Sequence, residues 1–77
     1  MKLINIGFNN LVAADRVTAI VSLDSAPIKR MVQTAKEGNL LIDASGGRKT
    51  KSVIFTDCNQ IILSYLPIET IEDKVNE

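Results

Sequence analysis

The sequence predicts an α+β fold: a small, mostly antiparallel sheet with one well-capped helix and a C-terminal acidic helix. Three observations point there. Short β-rich runs are separated by Gly- and Asn-bearing turns too brief to hold a crossover helix. One segment, "LDSAPIKRMVQTAKEGN", bears both the start and the stop signals of a helix. Of the 77 residues, 45% are apolar, enough to exclude a disordered chain and to build one small domain spanning residues 1–77, but not two.

Taken in order, "KLINI" at 2–6 alternates and is rich in β-formers, so it reads as a strand and not as a signal peptide. "GFNN" at 7–10 is a turn, because Gly and Asn tolerate positive φ. "LVAA" at 11–14 and "RVTAIVS" at 16–22 are strands. The helix follows. Asp24 and Ser25 are N-cap types, Pro27 suits a first turn, and Ala26 before it is pushed from helical φ/ψ. Ile28, Met31, Val32 and Ala35 make one apolar stripe, Lys36 lies in the last turn and Gly38 is the expected C′ stop. "LLIDA" at 40–44 is the next strand, and "SGGRKT" is expected to be a tight turn pairing it with "SVIFTD" at 52–57. "CN" turns into "QIILSYL" at 60–66, and Pro67 ends that strand. "IETIEDKVNE" is helical, with Ile68, Ile71 and Val75 on one side and acids on the other. Phe55 and Tyr65 fall inside strands and read as core, whereas Phe8 sits at a turn tip and is the one aromatic expected to be an exposed contact.

Composition removes several classes of chemistry. The chain has no His, hence no imidazole base, His metal ligand or Ser-His-Asp triad. The single Cys58 cannot form an internal disulfide or a Cys-rich zinc site, and it fits a reducing compartment. It reads as a small buried or edge residue and not as a reactive thiol. Asp15, Asp24, Asp43 and Asp57 sit at element ends, where Asp usually caps or turns. No catalytic residue, metal or cofactor is therefore expected, and the chain reads as a non-enzyme. No run approaches the roughly 20 apolar residues of a membrane span, so a cytoplasmic, membrane-free protein is expected.

Nine basic residues balance nine acidic ones, but unevenly along the chain. Glu69, Glu72, Asp73 and Glu77 face only Lys74 at the end. From position 29 to 51 lie Lys29, Arg30, Lys36, Arg48, Lys49 and Lys51 against Glu37 and Asp43. A neutral total is thus compatible with a basic face. "GGRKTK" at 46–51 is not a P-loop, since it has no Gly-Lys dipeptide and leads into a strand. Gly46 and Gly47 permit a tight turn from which Arg48, Lys49 and Lys51 project, either toward phosphates or simply into solvent. Lys29 and Arg30 read first as exposed helix charge, and Arg16 as the partner of Asp15 or of a C-terminal acid; all three remain candidates for DNA binding. The scarcity of aromatics argues against single-strand recognition by stacking.

Several stretches together resemble RemA-type extracellular matrix regulatory proteins: "INIGFNN" at 4–10, "AADRVTAIVS" at 13–22, "DSAPIKRMVQTAKE" at 24–37, "LIDASGGRKTKSVIFTD" at 41–57 and "IILS" at 61–64. The resemblance implies a bacterial DNA-binding transcriptional regulator, linked in some bacteria to biofilm matrix genes, and a ring-like homo-oligomer. It also implies DNA contacts from Arg16, Arg48 and Lys49, with Lys51 in the next basic slot. This chain carries Lys49 and Lys51 where the family commonly has Arg, which keeps the charge but loses the bidentate fork. The expected partners are thus double-stranded DNA and further copies of the chain. A protein-interaction or assembly module, in which the ring itself is the function, is the competing reading, and RNA binding is a third.

Overall fold

The computed structural model describes residues 2–77. The first hairpin pairs β1 (Leu3–Asn5) with β2 (Leu11–Ala13), and Ile4 stands opposite Val12. Its turn has three consecutive positive φ values, at Gly7, Phe8 and Asn9, and the Asn10 amide donates to the Gly7 carbonyl at 2.9 Å. Gly and Asn were expected there; Phe8 at φ 52° was not. A left-handed conformation costs a residue with a Cβ roughly 1–2 kcal/mol, so the Phe8 ring must be held by something.

A single 3-10 turn, Ala14–Arg16, leads into β3 (Val17–Val21), and α1 spans Ala26–Glu37. The Ser25 hydroxyl accepts from the Ile28 amide at 3.4 Å, and Pro27 lies in the first turn, as the local signals require. The C-terminus differs in one residue from expectation. Gly38 stays at φ −92°, and Asn39, at φ 60°, is the left-handed residue. The Leu40 amide donates to the Ala35 carbonyl at 2.9 Å and that of Asn39 to Lys36 at 3.3 Å, which is a Schellman cap with Asn39 at C′. Of the expected apolar stripe, Ala35 is buried and Ile28 and Val32 are half-buried, but Met31 is exposed.

The second sheet holds β4 (Leu41–Asp43), β5 (Ser52–Thr56) and β6 (Ile61–Ser64) with β3, in the order β3-β5-β6-β4. β3–β5 and β5–β6 are antiparallel, while β4–β6 is parallel. The fold class is α+β and mostly antiparallel, as expected, but β4 and β5 are not partners. β6 is inserted between them, and α1 is the crossover that carries the chain from β3 to β4 on the far edge. Two strand spacings separate β4 from β5, about 10 Å, which is wider than a tight hairpin turn spans.

α2 (Ile68–Val75) buries Ile71 completely, beside half-buried Ile68 and Val75. It joins the hairpin residues Ile4, Ile6 and Val12 and the sheet residues Ile54 and Ile62 in one core cluster. Lys2 Nζ closes its C-terminus, donating to the carbonyls of Val75 at 3.2 Å and Glu77 at 2.7 Å, where a cation suits the helix dipole. Because side chains alternate along a strand, Phe55 and Ile61 face the other side of the sheet, toward α1. Among the described residues, no helix is long and apolar enough to cross a membrane.

Candidate anion-binding loop

The loop from Ala44 to Lys51 straddles the end of β6. The Ala44 amide donates to the Leu63 carbonyl and the Lys51 amide to the Ser64 carbonyl, each at 2.9 Å. Both ends of the loop are therefore pinned to consecutive residues of one central strand. Between the pins, Gly46 and Gly47 take φ values of 63° and 83°, and the Arg48 amide donates to the Ser45 carbonyl at 3.1 Å. That pair of positive φ values at the turn centre is why the sequence carries two glycines.

Three buried serines, Ser45, Ser52 and Ser64, lie in the loop or in its anchoring strands. Ser52 Oγ donates to the Leu66 carbonyl at 2.9 Å, tying the start of β5 to the segment after β6. Ser45 donates to Asp43 Oδ1 through its hydroxyl and, at 2.9 Å, through its amide. These two bonds hold the Asp43 carboxyl below its usual range, with the charge of Lys36 adding in the same direction. Sequence reasoning passed over these serines. The signal was there: each is a small polar residue at the end of an apolar strand, where a hydroxyl can close an otherwise open backbone group.

Arg48, Lys49 and Lys51 are exposed on this loop, and none of them is ion-paired among the described residues. The Arg48 guanidinium carbon lies 5.3 Å from the Tyr65 ring centroid and 5.9 Å from that of Phe8. The two rings are 5.0 Å apart and tilted by 52°. Tyr65 lies beyond the end of β6 and half-buried, so it is a platform under an arginine and not the core strand residue expected from the sequence.

The remaining candidates sit elsewhere. Val17 is opposite Thr56, and Val21 is opposite Val53, so Arg16 is at the end of β5 remote from the loop. A five-residue strand spans about 17 Å. Arg16 Nε reaches both oxygens of Asp57, at 2.8 and 2.9 Å, and this hydrogen-bonded pairing raises its pKa. Its partner is thus Asp57, not Asp15 or a C-terminal acid; both side chains are solvent-accessible, and such pairs contribute little to stability. Lys29 is exposed on α1, and Arg30 borders a groove of about 670 Å³ between α1 and the sheet, lined also by Met31, Leu40, Phe55 and Ile61. Cys58 is exposed in the β5–β6 loop, 3.2 Å from Thr56 Oγ1, and not buried.

Fold and site thus define a small α+β scaffold that displays, at one end of its sheet, a cationic loop with no ion pair among the described residues. A family model described as "Extracellular matrix regulatory protein A-like" matches residues 3–75, and the chain belongs to this RemA-like family. Similar proteins come from Acetivibrio thermocellus (55% identical over 76 residues, 99% of this chain and 82% of that one) and Caldicellulosiruptor saccharolyticus (56% over 77 residues, 100% and 76%). A third, from Halothermothrix orenii, is 51% identical over 76 residues, covering 99% of this chain and 90% of its own. Each bears the name "Putative regulatory protein". The family is one of bacterial regulatory proteins.

Proposed function

We propose that this protein is a non-enzymatic, cytoplasmic, homo-oligomeric DNA-binding regulator of transcription that meets phosphates of the duplex through the Ala44–Lys51 loop. The observation that supports this most is the contrast between the two ends of the sheet. Arg16 is neutralised by Asp57, whereas Arg48, Lys49 and Lys51 stand on a pinned loop with no acidic partner among the described residues. Unpaired, exposed cations on a fixed backbone suit phosphate contacts, and they carry little sequence information by themselves. Arg16 adds a contact secondary to the loop, since Asp57 competes with phosphate for it. Family membership supports matrix genes as the targets.

One copy offers few contacts. A ring of copies repeats the loop, and linked sites gain avidity through effective concentration. Exposed Leu3, Leu11, Met31, Leu40 and Ile42 favour such self-association, and they equally favour the second reading, in which assembly is the function and DNA binding is incidental.

The deciding experiment is duplex binding by an Arg48→Ala variant over a salt series, with circular dichroism as the folding control. Binding should fall steeply, and the salt slope should drop by about 0.9 per lost phosphate contact, multiplied by the subunits engaged. Lys74→Ala, in the acidic helix, is the control and should bind like the parent. Parental binding by folded Arg48→Ala would reject the loop as the DNA contact.

A further inference from the structure

Phe8 combines three properties that rarely meet in one residue. It is aromatic, it has a positive φ of 52°, and the residue is 53% exposed. Neither core burial nor turn chemistry explains it, since the turn geometry favours Asn or Gly. Its ring does have a purpose in the geometry. It packs on Gly46, where any Cβ would collide with it, while the Tyr65 ring packs in the same way on Gly7. Two glycines from two distant turns thus make room for two rings, and the rings meet under Arg48.

We infer that Phe8, together with Tyr65, is a positioning residue for Arg48, its ring fixing the guanidinium at the crest of the loop before any partner arrives. This rests on the DNA-binding reading for its consequence but not for its geometry. An arginine free in solvent loses side-chain freedom when it grips a phosphate, and one already laid against two rings within about 6 Å loses less. The β1–β2 hairpin tip is therefore part of the binding apparatus without itself touching DNA.

Two measurements test this. The first is NMR of the Arg48 δ-methylene protons in the free protein. In the parent they should be displaced upfield by the two ring currents, and Phe8→Leu should move them back toward ordinary arginine values; Leu keeps an unbranched β-carbon at the same φ. Tyr65→Leu should do so as well. Unchanged shifts in both variants would overturn the proposal whatever the protein binds. The second is a double-mutant cycle on duplex affinity. Phe8→Leu should weaken binding about fivefold per engaged subunit, leave the salt slope unchanged because no charge is lost, and be rescued by Phe8→Tyr. In the Arg48→Ala background it should have no effect. An equal loss in both backgrounds would mean that Phe8 touches DNA directly, and would reject the positioning role. If Arg48→Ala binds as the parent while the ring-current shifts behave as expected, the DNA reading fails and the positioning stands.

Discussion

Ser64 Oγ donates a 2.7 Å hydrogen bond to the carbonyl of Ile6, 58 residues earlier in the chain, and accepts from the Leu66 amide at 3.1 Å. This buried hydroxyl fastens the end of β6 to the β1–β2 hairpin. It thereby brings Phe8 and Tyr65, which flank the two bonded segments, to the same place. Ser64→Ala leaves a buried carbonyl and an amide without a partner, a loss of about 1–3 kcal/mol. For a domain of this size, at about 4–8 °C per kcal/mol, the thermal midpoint should fall by roughly 4–24 °C, measured by circular dichroism. A shift under a few degrees would mean that the hairpin is held by its apolar contacts alone.

Asp43 gives the loop a pH dependence. Its folded pKa lies below the ordinary carboxylate value, so its contribution is fully present above about pH 4 and is lost as pH falls through the lower, folded value. Asp43→Asn should therefore be slightly less stable than the parent at pH 7, by about 0.5 kcal/mol after solvent screening. That gap should close on acidification. Thermal melts of both proteins from pH 7 to 2 check this, and a gap that widens toward acid would reverse the sign of the argument.

Lys49 and Lys51 separate charge from fork geometry. Lys49→Arg should bind duplex DNA as well as the parent or better, because the charge is kept and a bidentate donor is added. Lys51→Ala should lower the salt slope by about 0.9 for each engaged subunit. Fluorescence anisotropy with a labelled duplex at several salt concentrations measures both. Weaker binding by Lys49→Arg would show that the loop demands the compact ammonium group.

Light scattering at micromolar concentration should give a mass greater than that of a dimer. A 77-residue chain buries a limited share of its surface alone, and among the described residues five large apolar side chains besides Phe8 are exposed. A monomer mass would remove the multivalent part of the DNA-binding proposal and the assembly reading together.

Much of this molecule is legible one segment at a time. The start of α1 follows from Ser25 and Pro27, and Gly38 marks its stop to within one residue, Asn39 taking the left-handed place, because capping depends on backbone groups a few residues apart. Asn9 and Asn59 mark the tips of two hairpins, because a left-handed φ is a property of the residue and its neighbours. The cationic character of the Arg48–Lys51 stretch is likewise plain from the residues themselves. Which strands become neighbours is a different kind of fact. Strands β4 and β5 are joined by a glycine turn, yet β6 lies between them, because its run of Ile61, Ile62 and Leu63 is apolar toward both faces and gains most from a central position. That insertion stretches the Ala44–Lys51 loop over the end of β6 and places Tyr65 beneath it, while the antiparallel register of β3 on β5 puts Arg16 at the opposite end of the sheet. Such pairings are chosen by which apolar faces bury one another across the whole chain, and a side chain's distant neighbours exist only once that choice has been made.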